Sequence, residues 1–274
     1  MAFIDQQLVQ FKKLIEDAII VGGAKGKESI IRSSSLINLI HDAVKYELIQ
    51  QGVNPNNIYP KFRESKPEIK LAGMLKQKYQ DVCVVPSNIR QKPIKIDWGP
   101  MSFKEITDPY GFEYSTNTLV INIRSQMSSL AKNSDTLFER TFAEAQNLHM
   151  RYKDIVLGEV YLIPLYEYDD VAVSNHKVAF KFNKTDVEKY ISFFNSINSR
   201  KKGGHDYSYE RCALLIVDFN KDKPKLYNNS EELKDAGIIS KDFIIEQSTL
   251  SFNNFAEDLL KIYADRFNIN DICK

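Results

Sequence analysis

Polar side chains alternate with apolar ones at the end of a strongly hydrophobic segment, in the stretch "VINIRSQ". A β-strand points successive side chains to opposite faces, so Asn122, Arg124 and Gln126 share one face while Ile121 and Ile123 share the other. Buried polar groups need partners, because leaving them unpaired costs free energy. A metal ion together with a phosphate group would satisfy the amides and the guanidinium of this row.

An acidic residue opens a second apolar segment, "QDVCVV", in which Asp81 follows Lys76 and Lys78. If this segment is a neighbouring strand, Asp81 joins the polar row and completes a cluster suited to metal-assisted phosphate chemistry. Two simpler interpretations remain open. Asp81 could cap a turn beside solvated lysines, or it could form a buried ion pair with Arg124 that binds no ligand, since structural ion pairs resemble functional ones.

Composition limits the partners that can be expected. The chain has 274 residues, of which 43% are hydrophobic, so it can bury a large core. The net charge of +1 excludes a general attraction for polyanions and restricts any nucleic-acid site to a local patch. Cys83, Cys212 and Cys273 lack metal-ligand spacing, which favours a reducing, cytoplasmic location. The first 20 residues resemble neither a signal peptide nor a membrane span, so no membrane association is expected.

The elements that must position the polar row follow from hydrophobic periodicity. Helical spacing predicts a helix over residues 3–20 that ends at "GGAKGK", and a second helix over residues 34–52. The "GGAKGK" stretch does not match a phosphate-binding loop, because Val21 replaces the first glycine and Glu28 replaces the final Ser or Thr. Strands are predicted in residues 57–62, 80–86, 93–98, 118–125, 158–168, 177–182 and 212–219, and helices in residues 135–151, 185–198 and from 253 onwards.

This order of elements predicts an α/β fold in which a mixed central β-sheet is flanked by helices. The helix over residues 135–151 is expected to carry Asp135 in its first turn, where an acid interacts favourably with the helix dipole. The chain contains no internal repeat, low-complexity tract or Pro/Ser-rich linker, so we expect a single domain.

Five segments in this order carry a resemblance to a known family: "HDAVKYELIQQG", "QDVCVV", "VINIRSQ", "SLAKNSDTLFERTFAEAQNLHMRY" and "LGEVYLIPLYEYDD". Together they resemble type II restriction endonucleases of the PD-(D/E)XK nuclease superfamily. The resemblance covers residues 34–168 and implies a restriction-endonuclease-like catalytic core there. Residues 1–33 would be an N-terminal helical extension, and residues 169–274 a C-terminal elaboration that could recognise DNA, all within one nuclease-like domain.

The resemblance implies that Asp81 binds Mg²⁺, and that Asn122 and Arg124 stand where the family has an acid and a lysine. Asn122 offers a metal ion only a neutral oxygen. The Arg124 guanidinium can hold a phosphate and stabilise the charge of the transition state, but it cannot act as a base. Glu144 and Glu68 are the candidates for the missing acid, and each has the alternative of being a solvated side chain.

The activity that the resemblance implies is Mg²⁺-dependent hydrolysis of phosphodiester bonds at specific sites in double-stranded DNA. Contacts with the DNA backbone are expected from Ser125, Gln126, Lys132 and Asn133, which follow the end of the strand. Local cations expected to contact DNA are Lys76, Lys78, Arg200, Lys201 and Lys202. The last three precede "GGH" in a basic segment that could equally be an ordinary solvated loop.

Partners follow from the same resemblance. Recognition of a palindromic site implies a homodimer, and a restriction enzyme implies a cognate DNA methyltransferase in the same system. The alternative is a catalytically degenerate protein with a nuclease fold, which binds DNA or a protein partner without cleavage because Asn122 and Arg124 have weakened the metal site.

Overall fold

A computed structural model describes residues 2–274 of the chain. The helices are α1 (Phe3–Arg32), α2 (Ser34–Gln50), α3 (Phe112–Thr116), α4 (Leu130–His149), α5 (Asp170–Ser174), α6 (Val187–Ile197), α7 (Ser230–Asp235) and α8 (Phe255–Arg266). The strands are β1 (Ile58–Tyr59), β2 (Lys70–Ala72), β3 (Gln77–Tyr79), β4 (Val82–Val84), β5 (Ile94–Lys95), β6 (Thr107–Asp108), β7 (Leu119–Ser125), β8 (Val156–Pro164), β9 (Tyr166–Tyr168), β10 (Phe180–Lys184), β11 (Arg211–Asp218) and β12 (Lys225–Tyr227).

A six-stranded mixed sheet forms the centre of the fold, in the order β1-β4-β7-β8-β11-β12. The strands β1, β4 and β7 pair antiparallel, whereas β7, β8 and β11 are parallel and β12 returns antiparallel at the far edge. Helix α4 connects β7 to its parallel neighbour β8, as a crossover between parallel strands requires. The predicted α/β fold with a mixed sheet flanked by helices is confirmed.

The two faces of the sheet are covered by different helices, and the period-two pattern of β7 assigns its side chains to them. Ile121 and Ile123 pack in the larger core together with residues of α1, α2 and α8. Val120 packs in the other core with residues of α4 and α6. Asn122 and Arg124 have the same parity as Val120, so they face α4.

Helix α1 does not end where glycines interrupt its pattern. The sequence predicted an end near residue 20, but the helix continues to Arg32 with a kink at Gly23, whose φ is +56°. Glycine adopts this left-handed conformation without strain. A side chain at Gly23 would also meet the His176 imidazole, at 3.0 Å from its Nε2. The prediction was wrong because one glycine bends the helix and the residues after it resume the helical conformation.

Helix α4 begins five residues before the predicted start. The backbone N–H of Leu130 donates to the Glu167 carboxylate at 2.8 Å, so a distant side chain satisfies the start of the helix. Asp135 therefore lies in the second turn, where it pairs with Lys189 at 2.8 Å. Helix α2, in contrast, begins as predicted after Ser33, whose hydroxyl accepts from the backbone N–H of Ser35.

Two hairpins, β2–β3 and β5–β6, flank β4 in the sequence and form a small satellite around Ala72, Ile96 and Met101. The β2–β3 hairpin is fixed to α4 by the Asn147 carboxamide, whose oxygen accepts from the backbone N–H groups of Leu75 and Lys76. This attachment places the hairpin beside the polar face of β7. Among residues 2–274, no helix combines the length and the apolar character needed to cross a membrane.

Candidate active site

Asp81 lies at the junction of β3 and β4 and reaches across to β7. Its Oδ2 accepts a hydrogen bond from the backbone N–H of Ile123 at 2.8 Å, which fixes the carboxylate beside the polar face of that strand. The side chain is partly exposed. Burial raises the pKa of the Asp81 carboxyl, and the hydrogen bond from Ile123 and the charges of Lys78 and Arg124 offset only part of this rise. Asp81 does not cap a local turn here; it joins two strands.

Arg124 extends from β7 to α4. One guanidinium nitrogen, Nη1, donates to Thr141 Oγ1 at 2.8 Å, and the other, Nη2, donates to Glu144 Oε2. Burial disfavours the charged guanidinium, but the negative charges of Glu159, Glu144 and Asp81 outweigh it and raise the pKa of Arg124. Arg124 is therefore a permanent cation that can hold an anion and cannot accept a proton.

Glu144 was one of the two acids proposed to replace the missing carboxylate, with a solvated helix residue as the alternative. The structure buries it: the residue is 5% exposed, and it faces β7 from α4. Its carboxylate pairs with Arg124, with Lys78 from β3 and with Arg140, whose Nε lies 3.5 Å away. Burial raises the pKa of Glu144, but the charges of Arg124 and Lys78 outweigh this effect and lower it.

Glu159 is a fifth charged residue of this site, one that was not predicted from the sequence. It lies on β8, directly opposite Asn122 of β7, and is completely buried. Its Oε1 lies 3.4 Å from Arg124 Nη1, yet neither carboxylate oxygen has a hydrogen-bond partner. Burial raises the pKa of Glu159 to about 7 despite the charge of Arg124. The available signal was a single acid within the apolar strand "VLGEVYLIP".

We call Asp81, Arg124, Glu144 and Glu159, with Asn122 and Lys78, the β7 cluster. Three carboxylates and two cations meet there on the face of the sheet that α4 covers. Carboxylate and amide oxygens are the ligands that Mg²⁺ prefers. In residues 2–274, however, no three Asp, Glu, His or Cys side chains gather closely enough to form a metal site on their own. The acids face cations, so a metal ion would have to use Asn122 or compete with Arg124.

Glu68 lies beside Asp81 but has a different partner. Its carboxylate pairs with Lys66, and its charge acts on the His41 imidazole of α2. The antiparallel register of β2 and β3 continues one pair beyond the hairpin, where the backbone N–H of Gln80 donates to the Ile69 carbonyl at 2.9 Å, and the next pair sets Glu68 opposite Asp81. A role for Glu68 as the replacement acid therefore stays a prediction.

The residues predicted to contact DNA after β7 divide into two groups. Lys132 and Asn133 are exposed in the first turn of α4, and Ser125 is partly exposed. Gln126 is buried, with its carboxamide oxygen accepting from the Tyr161 hydroxyl at 3.1 Å and its nitrogen donating to backbone carbonyls. The prediction of a DNA contact at Gln126 is wrong for this conformation, because protein groups already occupy both ends of its amide.

The basic segment before "GGH" lies where β8 and β11 begin, and it contacts residues that precede those two strands. Arg200 is buried there, with Nη1 donating to Glu210 Oε1 at 2.9 Å and Nε donating to the His205 carbonyl. Arg200 is therefore a structural cation, and its prediction as a DNA contact is wrong. Lys201 and Lys202 are exposed, and Lys202 pairs with Asp154 at 3.6 Å. Lys76 is also exposed, on the hairpin beside the β7 cluster, whereas Lys78 is engaged by Glu144.

No protein-family model, curated protein or solved structure matches this chain. The functional argument therefore depends on the side chains of the β7 cluster.

Proposed function

We propose that this protein is a Mg²⁺-dependent, site-specific endonuclease that hydrolyses phosphodiester bonds in double-stranded DNA, as type II restriction enzymes do. The observation that carries the proposal is the meeting of Asp81, Arg124 and Glu144 on one face of the sheet. These residues are far apart in sequence and come from the start of β4, the end of β7 and the middle of α4. A cation held between acids beside a partly exposed carboxylate suits the hydrolysis of a phosphate ester.

Each residue of the site has a distinct role in this proposal. Arg124 binds the phosphate that is cleaved and stabilises the charge that develops on it, while Thr141 and Glu144 orient its guanidinium. Asp81 and one further acid hold Mg²⁺, which when bound would lower the pKa of a water molecule and neutralise phosphate charge. Because Arg124 keeps its proton, the proton of the attacking water must leave to a carboxylate or to solvent.

Exposed residues near the β7 cluster would hold the neighbouring phosphates. Lys132 and Asn133 follow β7 at the start of α4, and Lys76 lies on the hairpin fixed to the same helix. Contacts of this kind position a duplex without reading its sequence. The proposed partners are double-stranded DNA, a second copy of the chain and a cognate DNA methyltransferase, and the proposed location is the cytoplasm.

Cleavage of unmethylated plasmid and phage DNA, with Mg²⁺ or with EDTA, tests the proposal. Discrete fragments that form only with the metal are expected from the wild type. Asp81→Asn should lower the cleavage rate by at least about a thousandfold, because a metal-assisted step depends on its ligands for several kcal/mol. Asp235→Asn, at an exposed position of α7, is the matched control and should cleave normally. DNA that stays intact with every divalent metal, or an Asp81→Asn variant that cleaves normally, contradicts the proposal.

A second function is favoured by the pairing of the acids with cations in the β7 cluster. Glu144 already has Arg124, Lys78 and Arg140 as partners, and Asn122 replaces a charged metal ligand. A protein with this site could bind DNA phosphates without cleaving them. Salt-dependent binding to duplex DNA without Mg²⁺-dependent fragments would select this alternative.

A further inference from the structure

Glu159 is a buried acid with an unsatisfied hydrogen-bonding requirement. It is 0% exposed, and neither of its oxygens accepts a hydrogen bond. Almost all buried polar atoms in folded proteins have such a partner, and an unpaired buried carboxylate is costly. The cation that forms an ion pair with it, the Arg124 guanidinium, directs its hydrogen bonds to Glu144 and Thr141. The oxygens of Glu159 are therefore free to accept a different ligand.

Asn122 has the same deficiency at the neighbouring position. It is 1% exposed, and its Oδ1 has no hydrogen-bond partner. Asn122 and Glu159 are direct partners in the parallel pairing of β7 with β8, so their side chains leave the sheet on the same face. Two orphaned oxygen groups therefore lie side by side beneath α4.

Asp81 extends this row across a third strand. The pairing of β4 with β7 joins Val82 to Ile121, so Asp81 lies one position further along and next to Asn122. Adjacent strands are about 4.8 Å apart, which places the α-carbons of Asp81 and Glu159 about 10 Å from each other with Asn122 between them. Carboxylates that lean inward from both sides can then share a cation with the central amide.

We propose that Glu159 is the carboxylate that replaces the one missing at Asn122, and that Asp81, Asn122 Oδ1 and Glu159 together bind a divalent cation that prefers oxygen ligands. This inference rests on the proposed function, whose metal ion needs a second acid. Two carboxylates and an amide match the hard oxygen ligands of Mg²⁺ and Mn²⁺. Glu144 is then left to orient Arg124.

Binding of Mn²⁺ to the whole protein without DNA, followed by electron paramagnetic resonance, tests this site. The wild type should bind Mn²⁺, and Glu159→Gln should weaken binding by at least about tenfold. Residues that only hydrogen-bond to metal ligands already change metal affinity by about 10- to 100-fold, so loss of a ligand should have at least that effect. Glu139→Gln, at an exposed position of α4, is the matched control and should bind like the wild type. Equal Mn²⁺ affinity of the wild type and Glu159→Gln, or a wild type that binds no Mn²⁺, overturns the site.

A rescue experiment separates a metal ligand from a residue that only supports the fold. Asn122→Asp in the Glu159→Gln background returns a carboxylate to the adjacent strand, so it should restore Mn²⁺ binding. If Glu159→Gln fails to fold, Asn122→Asp alone should bind Mn²⁺ more tightly than the wild type. Unchanged affinity in either background contradicts the proposal, because a structural role gives no reason for rescue.

Cleavage assays on the same variants distinguish this inference from the proposed function. A chain that binds Mn²⁺ through Glu159 and cuts no DNA supports the site and contradicts the endonuclease. A wild type that cuts DNA, with a Glu159→Gln variant that cuts and binds Mn²⁺ equally well, contradicts the site alone.

Discussion

Two buried glutamates on the face of the sheet covered by α4 have opposite surroundings. Glu210 precedes β11, and its Oε1 accepts from Arg200 Nη1 at 2.9 Å and from Arg266 Nη1 at 2.8 Å. Its Oε2 accepts from the backbone N–H of Leu157 at 2.8 Å. Glu159 lies on the neighbouring strand, equally buried, and neither of its oxygens accepts a hydrogen bond.

The difference shows in the acidity of the two groups. Burial raises the pKa of both carboxyls. At Glu210 the nearby His149, the charge of Arg266 and the bond from Leu157 outweigh burial and lower the pKa. At Glu159 burial prevails and the pKa rises to about 7. The two acids therefore differ in their hydrogen-bonding and charged partners and not in their depth of burial. Glu210 stabilises the fold, whereas the charged form of Glu159 is destabilised, as occurs for acids at functional sites.

The largest effect on folding stability is expected from Glu210, the glutamate whose oxygens all accept hydrogen bonds. Glu210→Gln removes the charge that compensates the buried cations Arg200 and Arg266, so it should lower the free energy of unfolding by about 3–5 kcal/mol. Urea denaturation at neutral pH measures this. Glu159→Gln should cost much less under the same conditions, since that carboxylate accepts no hydrogen bonds. Equal losses of unfolding free energy in the two variants would contradict the different roles given to Glu210 and Glu159.

The next effect is a pH dependence of stability that is expected from Glu159 and not from Glu210. Its pKa is raised in the folded state from 4.5 to about 7, so the folded protein holds this proton more tightly than the unfolded chain. The resulting stabilisation is complete below 4.5 and is lost as the pH rises through about 7. Glutamine does not titrate, so the Glu159→Gln variant should not show this loss of stability. The difference between its free energy of unfolding and that of the wild type should therefore shift by about 3 kcal/mol in favour of the variant as the pH rises across this range.

Urea denaturation of both proteins at a series of pH values measures that gain. The exposed control Glu139→Gln should follow the wild type across the same range. A difference between Glu159→Gln and the wild type that stays constant with pH would mean that Glu159 is as well compensated as Glu210.

A smaller effect is expected where α4 holds the guanidinium. Thr141→Val removes the hydroxyl that accepts from Arg124 Nη1, which should cost about 1–3 kcal/mol of folding stability because a charged donor loses its partner. Cleavage of DNA should slow by about tenfold, since contacts that orient a functional group are worth about 10- to 100-fold. Thr136→Val, exposed on the same helix, is the control for both measurements. Normal cleavage by Thr141→Val would show that Arg124 needs no orientation from α4.

The smallest effect compares the surfaces near the two glutamates. Lys132 is exposed beside the β7 cluster, and Lys202 is exposed near Glu210. If DNA binds at the β7 cluster, Lys132→Ala should reduce the slope of log binding constant against log salt concentration by about one unit, the contribution of one phosphate contact. Lys202→Ala should leave it unchanged. Titrations at several salt concentrations measure the slope, and the reverse result would move the DNA to the other end of the sheet.

Predictions from the sequence succeeded where the determining contacts are local. Helix α2 was found because Ser33 caps it next to a clear apolar period, and β7 was found from its own alternation. The start of α4 was missed because the partner of its first N–H is Glu167, on a strand 37 residues away. Local propensity carries no information about such a partner.

The same limit applies to the candidate site. Arg124 and Asp81 could be identified because charged residues interrupt apolar strands, and the structure brings both to the polar face of β7. Arg200 was misread because it stands in a basic run, and its compensating acid, Glu210, follows ten residues later across a loop. The single acid in the apolar strand β8 was a signal for Glu159, but its position beside Asn122 follows only from the pairing of β7 with β8. The difference between the residues that were identified and those that were not is the strand register, because register depends on which strands pair and cannot be read from one segment.

The carboxamide of Asn147 fixes the position of the β2–β3 hairpin relative to α4, and both elements contribute residues to the β7 cluster. It fastens the β2–β3 hairpin to α4 through Leu75 and Lys76, and Gly73 leaves no room for a side chain there, since a Cβ would lie 2.3 Å from Asn147 Nδ2. The hairpin carries Lys78, and α4 carries its partner Glu144 one turn before Asn147. The same helix thus holds both the hairpin backbone and the partner of Lys78, so moving the hairpin away from α4 would require breaking the Asn147 hydrogen bonds together with the ion pair that links Lys78 through Glu144 to Arg124.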